Sequence, residues 1–206
     1  MTATEQPSLA MSFELIRSRF HDPDFLHCRG LGGEVPVYVY PYDAAKEDEV
    51  RALTASMLED NRKELEREPD TAARIINFDL WDVFEAMCES RGILEKISKL
   101  DARLKDRERL LKKIQSSNPP KRYLDFMSAQ YEERYGEPQR GRDVVLITGV
   151  GKIYPFVRAH SILEGVQSTF SGIPVVMFYP GGYDGKQLKL FNTVADGNYY
   201  RAFNQL

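Results

Sequence analysis

The amino-acid sequence predicts an α/β protein: a three-layer, Rossmann-like sandwich with a mainly parallel sheet and a helical insertion at about residues 91–135, in one domain spanning residues 1–206. Three observations predict it. In "DVVLITGVG", Val144, Val145, Leu146 and Ile147 form an unbroken apolar run, the pattern of a parallel strand covered on both faces. "IPVVMFYPGG" has the same character further along. Strand-like stretches alternate with helical periodicities over most of the chain, which implies right-handed crossovers onto one sheet.

Taken in order, Ser12 to Phe20 reads as a short helix, with Phe13, Ile16 and Phe20 on one face. The β-branched and aromatic "VPVYVYPYD" predicts a strand to Tyr40, then a turn in which Asp43 caps a helix from about Ala44 to Arg67. Arg74 to Phe78 suits a second strand, and Asp79 is placed to cap the helix that carries Val83, Phe84 and Met87 inward. From Arg91 to Ser117, apolar residues at spacings of three, four and seven predict a charged amphipathic helix, closed by Asn118-Pro119-Pro120. A helix from Lys121 to about Tyr135 follows and stops at Gly136. After the strand at Val144–Ile147, a helix from about Tyr154 to Val166 is expected, with Pro155 at its first position. "KQLKLF" closes a hairpin with the strand before it.

Composition narrows the function classes. Hydrophobic residues make up 42% and charged residues 29%, ordinary values for a globular chain. The net charge of -3 gives no global field for nucleic acid or membranes, so any such contact needs a local patch. No apolar run approaches the ~20 residues of a membrane span. The first seven residues lack a basic-then-apolar export pattern, and two isolated cysteines, Cys28 and Cys88, fit a reducing cytoplasm. The cysteines and the three histidines have no metal-ligand spacing, so neither metal nor cofactor is expected.

"LITGVGKIYPFVRAH" looks at first like a phosphate loop. The Gly-x-x-x-x-Gly-Lys-Ser/Thr pattern fails, because Leu146 stands in the first glycine position and Ile153 follows Lys152. Gly-x-Gly-x-x-Gly fails too, with Tyr154 at the third glycine. A turn built on Gly149 and Gly151 is the simpler reading. An anion or a partner's carboxylate at Lys152 remains an alternative.

Three blocks together carry a resemblance: "VPVYVYPYD"; "LITGVGKIYPFVRAHSILEGVQ" with "IPVVMFYPGGYDG"; and the terminal "DGNYYRAF". In their order and spacing the chain resembles the BrxB family, the B component of BREX (bacteriophage exclusion) systems. The resemblance covers nearly the whole length and is weakest in the middle helical part. It implies a cytoplasmic defence component encoded beside a PglZ-type alkaline-phosphatase-like protein, a DNA methyltransferase and a large ATPase. It further implies a non-enzymatic assembly role with the PglZ-type protein as partner, and it carries over no catalytic residue.

Ligands of open parallel sheets meet the C-terminal strand ends. Asp43, Asp79, Thr148, Gly149, Gly151 and Lys152 lie at such ends and form the candidate ligand or anion site of a nucleotide-binding or hydrolytic enzyme. The competing reading makes Asp43 and Asp79 N-caps. Between Arg91 and Arg122 stand eleven basic residues against four acidic ones, a local excess of seven positive charges in a chain of net -3. Arg103, Arg107, Arg109, Lys112 and Lys113 are the candidates there for contact with a partner or DNA. Arg158 and the tail residues Tyr199, Tyr200, Arg201 and Phe203 join them, since tyrosine and arginine anchor interfaces. The expected function is a non-catalytic scaffold or adaptor. The enzyme and a DNA-contacting subunit are its rivals.

Overall fold

Parallel strands form the spine of the computed structural model, which describes residues 8–29, 36–96, 107–183, 187–198 and 204–205. β1 (Val37–Tyr42), β2 (Arg74–Asp79), β3 (Asp143–Thr148) and β4 (Val175–Tyr183) lie in the order β2-β3-β4-β1. A short β7 (Asn204–Gln205) extends the sheet beyond β1, again in parallel. β5 (Gln187–Leu190) and β6 (Val194–Asn198) attach antiparallel to the far end of β4, giving a mixed sheet.

Helices cover both faces. α1 (Leu9–Phe20), α2 (Pro23–Leu26) and α3 (Glu47–Arg67) pack on the side of Tyr38, Val144, Leu146, Val176 and Phe178. α4 (Leu80–Glu89), α5 (Arg107–Ser117), α6 (Pro120–Tyr135), α7 (Val150–Ile153) and α8 (Ala159–Thr169) pack on the side of Val39, Val145, Ile147, Val175 and Met177. The unbroken apolar run of β3 thus has a direct cause: successive side chains alternate between two cores and both are buried. Among the described residues no helix is long and apolar enough to cross a membrane.

Several expected boundaries move. β1 runs on to Tyr42, and Asp43 caps a 3-10 turn, Ala44–Lys46, with α3 itself starting at Glu47. The helix expected from Tyr154 starts only at Ala159, as α8, the single turn α7 precedes it, and Pro155 lies in the stretch between them rather than at a helix start. Gly151 lies inside α7, so the turn rests on Gly149 alone, whose φ of 73° is left-handed. The helix expected from Arg91 does not begin there: Arg91 and Gly92 form a turn, with Gly92 at φ 59°.

At the N-terminal end of the sheet the β2–β3 register opposes Arg74 to Asp143. Asp143 is fully buried and accepts two 2.8 Å bonds from the Arg74 guanidinium, one from the Gln139 amide at 2.8 Å and one from the Tyr131 hydroxyl. Asn61 of α3 closes the adjacent edge: its amide nitrogen donates to the Ala73 carbonyl at 2.8 Å, and its oxygen accepts from the Ile75 amide at 3.1 Å.

Candidate functional site

The opposite, C-terminal end of the same strand pair is open. There a groove of about 620 Å³ lies between α3 and the ends of the strands. Its walls include Tyr42 of β1, Asn77 and Asp79 of β2, Thr148 and Gly149 after β3, and Lys152 of α7.

Asp79 organises this end. Its Oδ1 accepts the Trp81 amide at 3.0 Å and so caps α4, while Oδ2 takes the Lys152 ammonium at 2.5 Å. The carboxylate leans so close to Gly149 that an added Cβ there would lie 2.7 Å from its Cγ. Glycine at 149 therefore answers two demands, left-handed backbone and the approach of Asp79. Thr148 donates to Asn77 at 3.2 Å across the strand ends. The Tyr42 hydroxyl donates to Glu47 at 2.5 Å; burial first, and then that bond, hold it protonated far above the usual tyrosine range.

Of the residues expected at a ligand site, Asp79, Thr148, Gly149 and Lys152 come together. Asp43 is not among the lining residues; its side chain accepts the Ala45 amide at 3.0 Å. Gly151 faces away as well, where a Cβ would meet Pro180 and Phe191. Trp81 packs on Phe84 and Phe156, on the α4 side of the sheet. Four charged lining residues were not picked out from sequence: Glu47, Asp48 and Arg51 at the start of α3, and Asp82 three residues after Asp79. The i,i+3 spacing of Asp79 and Asp82 was a usable signal, because it sets both on one side of α4's first turn.

The chemistry follows from the charges. Lys152 is neutralised by Asp79, and α7 is a single turn, so the loop presents neither a free cation nor a long helix N-terminus to a phosphate. Among the described residues no group of three or more His, Cys, Asp or Glu side chains is arranged to hold a metal ion.

The candidate interface residues are dispersed. Arg107, Arg109, Lys112 and Lys113 are exposed on α5, whose Ile114 is buried. Two other members of the basic segment are used internally: Arg91 and Arg122 donate to the Ser117 carbonyl and help close the end of α5. Arg158 donates to the Ala195 carbonyl at 3.2 Å and lies over the Tyr154 ring, tying the α8 start to β6. Arg103, Tyr199, Tyr200, Arg201 and Phe203 lie outside the described residues.

Comparison with known proteins places this geometry in a family. The family described as "BREX protein BrxB" matches residues 76–205, which include Asp79, β3 and Lys152. The chain belongs to the BrxB family. A BREX protein BrxB of Bacillus cereus (strain H3081.97) is 32% identical over 193 residues, covering 91% of this chain and 92% of the relative. Another, from Escherichia coli O9:H4 (strain HS), is 27% identical over 197 residues, covering 96% and 91%. No solved structure matches the chain. BrxB membership agrees with the resemblance carried by the three sequence blocks, and both relatives align over nearly the full length, so β1 and α3 fall within the shared region.

Proposed function

We propose that this chain is a non-catalytic scaffold or adaptor of a BREX phage-defence complex, acting in the cytoplasm as one α/β domain. Its partner on this reading is the PglZ-type alkaline-phosphatase-like protein, with the methyltransferase and the large ATPase as further members of the assembly. The observation that carries the reading is the Asp79–Lys152 pair. The two groups best placed for acid–base or phosphate chemistry bind one another, and Asp79 also caps a helix. Such a pair shapes a groove wall, which supports a structural role for both groups. The Rossmann-like, three-layer description is part of the proposal and is supported by helices on both faces of parallel strands. Pairwise pull-down of the purified chain against each neighbouring BREX product tests it. Capture of the PglZ-type protein at physiological salt is expected; failure to capture any neighbour overturns the reading.

Direct DNA contact is a second reading, favoured by the four exposed basic residues of α5. It predicts duplex binding that weakens steeply with salt and is lost on Lys112→Glu with Lys113→Glu. Absence of any mobility shift at low salt removes it.

A further inference from the structure

The groove at the strand ends is acidic. Glu47, Asp48, Asp79 and Asp82 line it against Arg51 and Lys152, so two negative charges stand in excess. Lys152 is held by Asp79, Arg51 reaches Asp48 at 3.5 Å, and Glu47 is bonded by Tyr42. Asp82 is exposed at the rim and forms no salt bridge among the described residues. Partial burial first, and then the charge of Asp79, raise its carboxyl above the ordinary value, with Lys152 and Arg51 pulling the other way.

The rest of the lining mixes the polar Tyr42, Thr54, Asn77 and Thr148 with an apolar set. Phe178, Val50, Leu58, Ala52 and Ala55 also line the cavity. An apolar lining beside carboxylates matches the two halves of an arginine or lysine side chain, which buries its methylene stem and keeps its charged head among anions. The cavity, at about 620 Å³, has room for more than one such side chain.

We propose that this groove binds a basic peptide segment of a partner protein, with arginine or lysine stems on the accessible α3 lining at Ala52, Ala55 and Leu58 and their charged heads at Asp48 and Asp82. The inference rests on the adaptor reading and names the partner chemistry of its groove. It reverses the polarity of the anion site expected from the glycine loop, since the cation there already has a partner and the surplus charge is negative.

The test titrates the full-length chain, nitrogen-15 labelled, with an acetylated, amidated hexapeptide of alternating arginine and lysine at low salt. Magnesium-ATP serves as the opposite probe. Saturable amide shifts at Arg51, Asp82 and Gly149 are expected with the peptide and not with ATP. Asp48→Asn combined with Asp82→Asn should weaken the peptide about tenfold, the loss of two rim charges. Both residues are exposed, and an unchanged melting temperature verifies the fold. Equal affinity of the double variant, shifts confined to other surfaces, or ATP shifts at Gly149 would each overturn the proposal. Neighbour capture is scored separately: a captured PglZ-type protein with no peptide effect sinks the groove assignment alone, whereas no capture sinks the adaptor reading.

Discussion

The two ends of the β2–β3 pair carry the same chemistry in opposite states. At the start of the strands, Asp143 is sealed from water, and its carboxylate accepts bonds from Arg74, Tyr131 and the Gln139 amide. Five residues later along the same register, Asp79 meets a lysine in a groove, with the Lys152 side chain 31% exposed. A buried ion pair is tolerable only when its remaining bonding capacity is filled, and the first end meets that condition. The second end keeps its charges near water, where a partner can reach them at small desolvation cost. One end holds the sheet; the other presents it.

That contrast ranks the consequences of substitution. Asp143→Ala should be the most damaging, about 3–5 kcal/mol in chemical denaturation, because it strands the Arg74 guanidinium and the Tyr131 hydroxyl in the interior. A loss under 1 kcal/mol would show that the sealed end is not what holds the sheet. Gly149→Ala comes next at about 1–3 kcal/mol, since alanine is strained at φ 73° and its Cβ collides with Asp79. Asp79→Ala should cost about 1–2 kcal/mol, the sum of a lost N-cap and a partly buried ion pair. Asp79→Asn should recover most of the cap and so separate the two contributions. A double-mutant cycle with Lys152→Ala then measures the pair itself.

The smallest effect concerns pH. In its charged form His21 donates from Nδ1 to the Arg17 carbonyl and from Nε2 to Glu64, each at 2.8 Å, and these two contacts raise its pKa above 6.5. A raised folded value means that the charged form stabilises the fold. Its contribution is complete below the unfolded value and fades as pH rises through the folded one. Stability of the native chain should therefore fall slightly more across that window than stability of His21→Gln; identical curves would show that the contact between α1 and α3 carries no charge coupling.

Much of the fold was legible because local physics is enough to write it. The apolar run of β3, the aromatic run of β1 and the amphipathic α3 each report burial directly. Asp79 was readable as a cap because it precedes a helical period by one residue. Other features need the third dimension. Arg74 and Asp143 are far apart in sequence and are matched only by strand register. The lining of the groove by α3 depends on how that helix crosses the strand ends, so Glu47, Asp48 and Arg51 read as an ordinary charged first turn. β6, "VADGN", lacks any alternation and forms because β5 offers it an edge. The start of α8 lies at Ala159 and not near Tyr154 because Pro155 fits a turn as well as a helix start, and sequence alone does not choose between them.

The claim that the open end is the recognition surface is most directly tested by amide hydrogen exchange of the full-length chain, alone and with the PglZ-type protein. Added protection over residues 42–58, 77–82 and 148–152 is predicted, with no change at residues 72–75 or 139–145. Protection confined to the sealed end, or none at either, would contradict it.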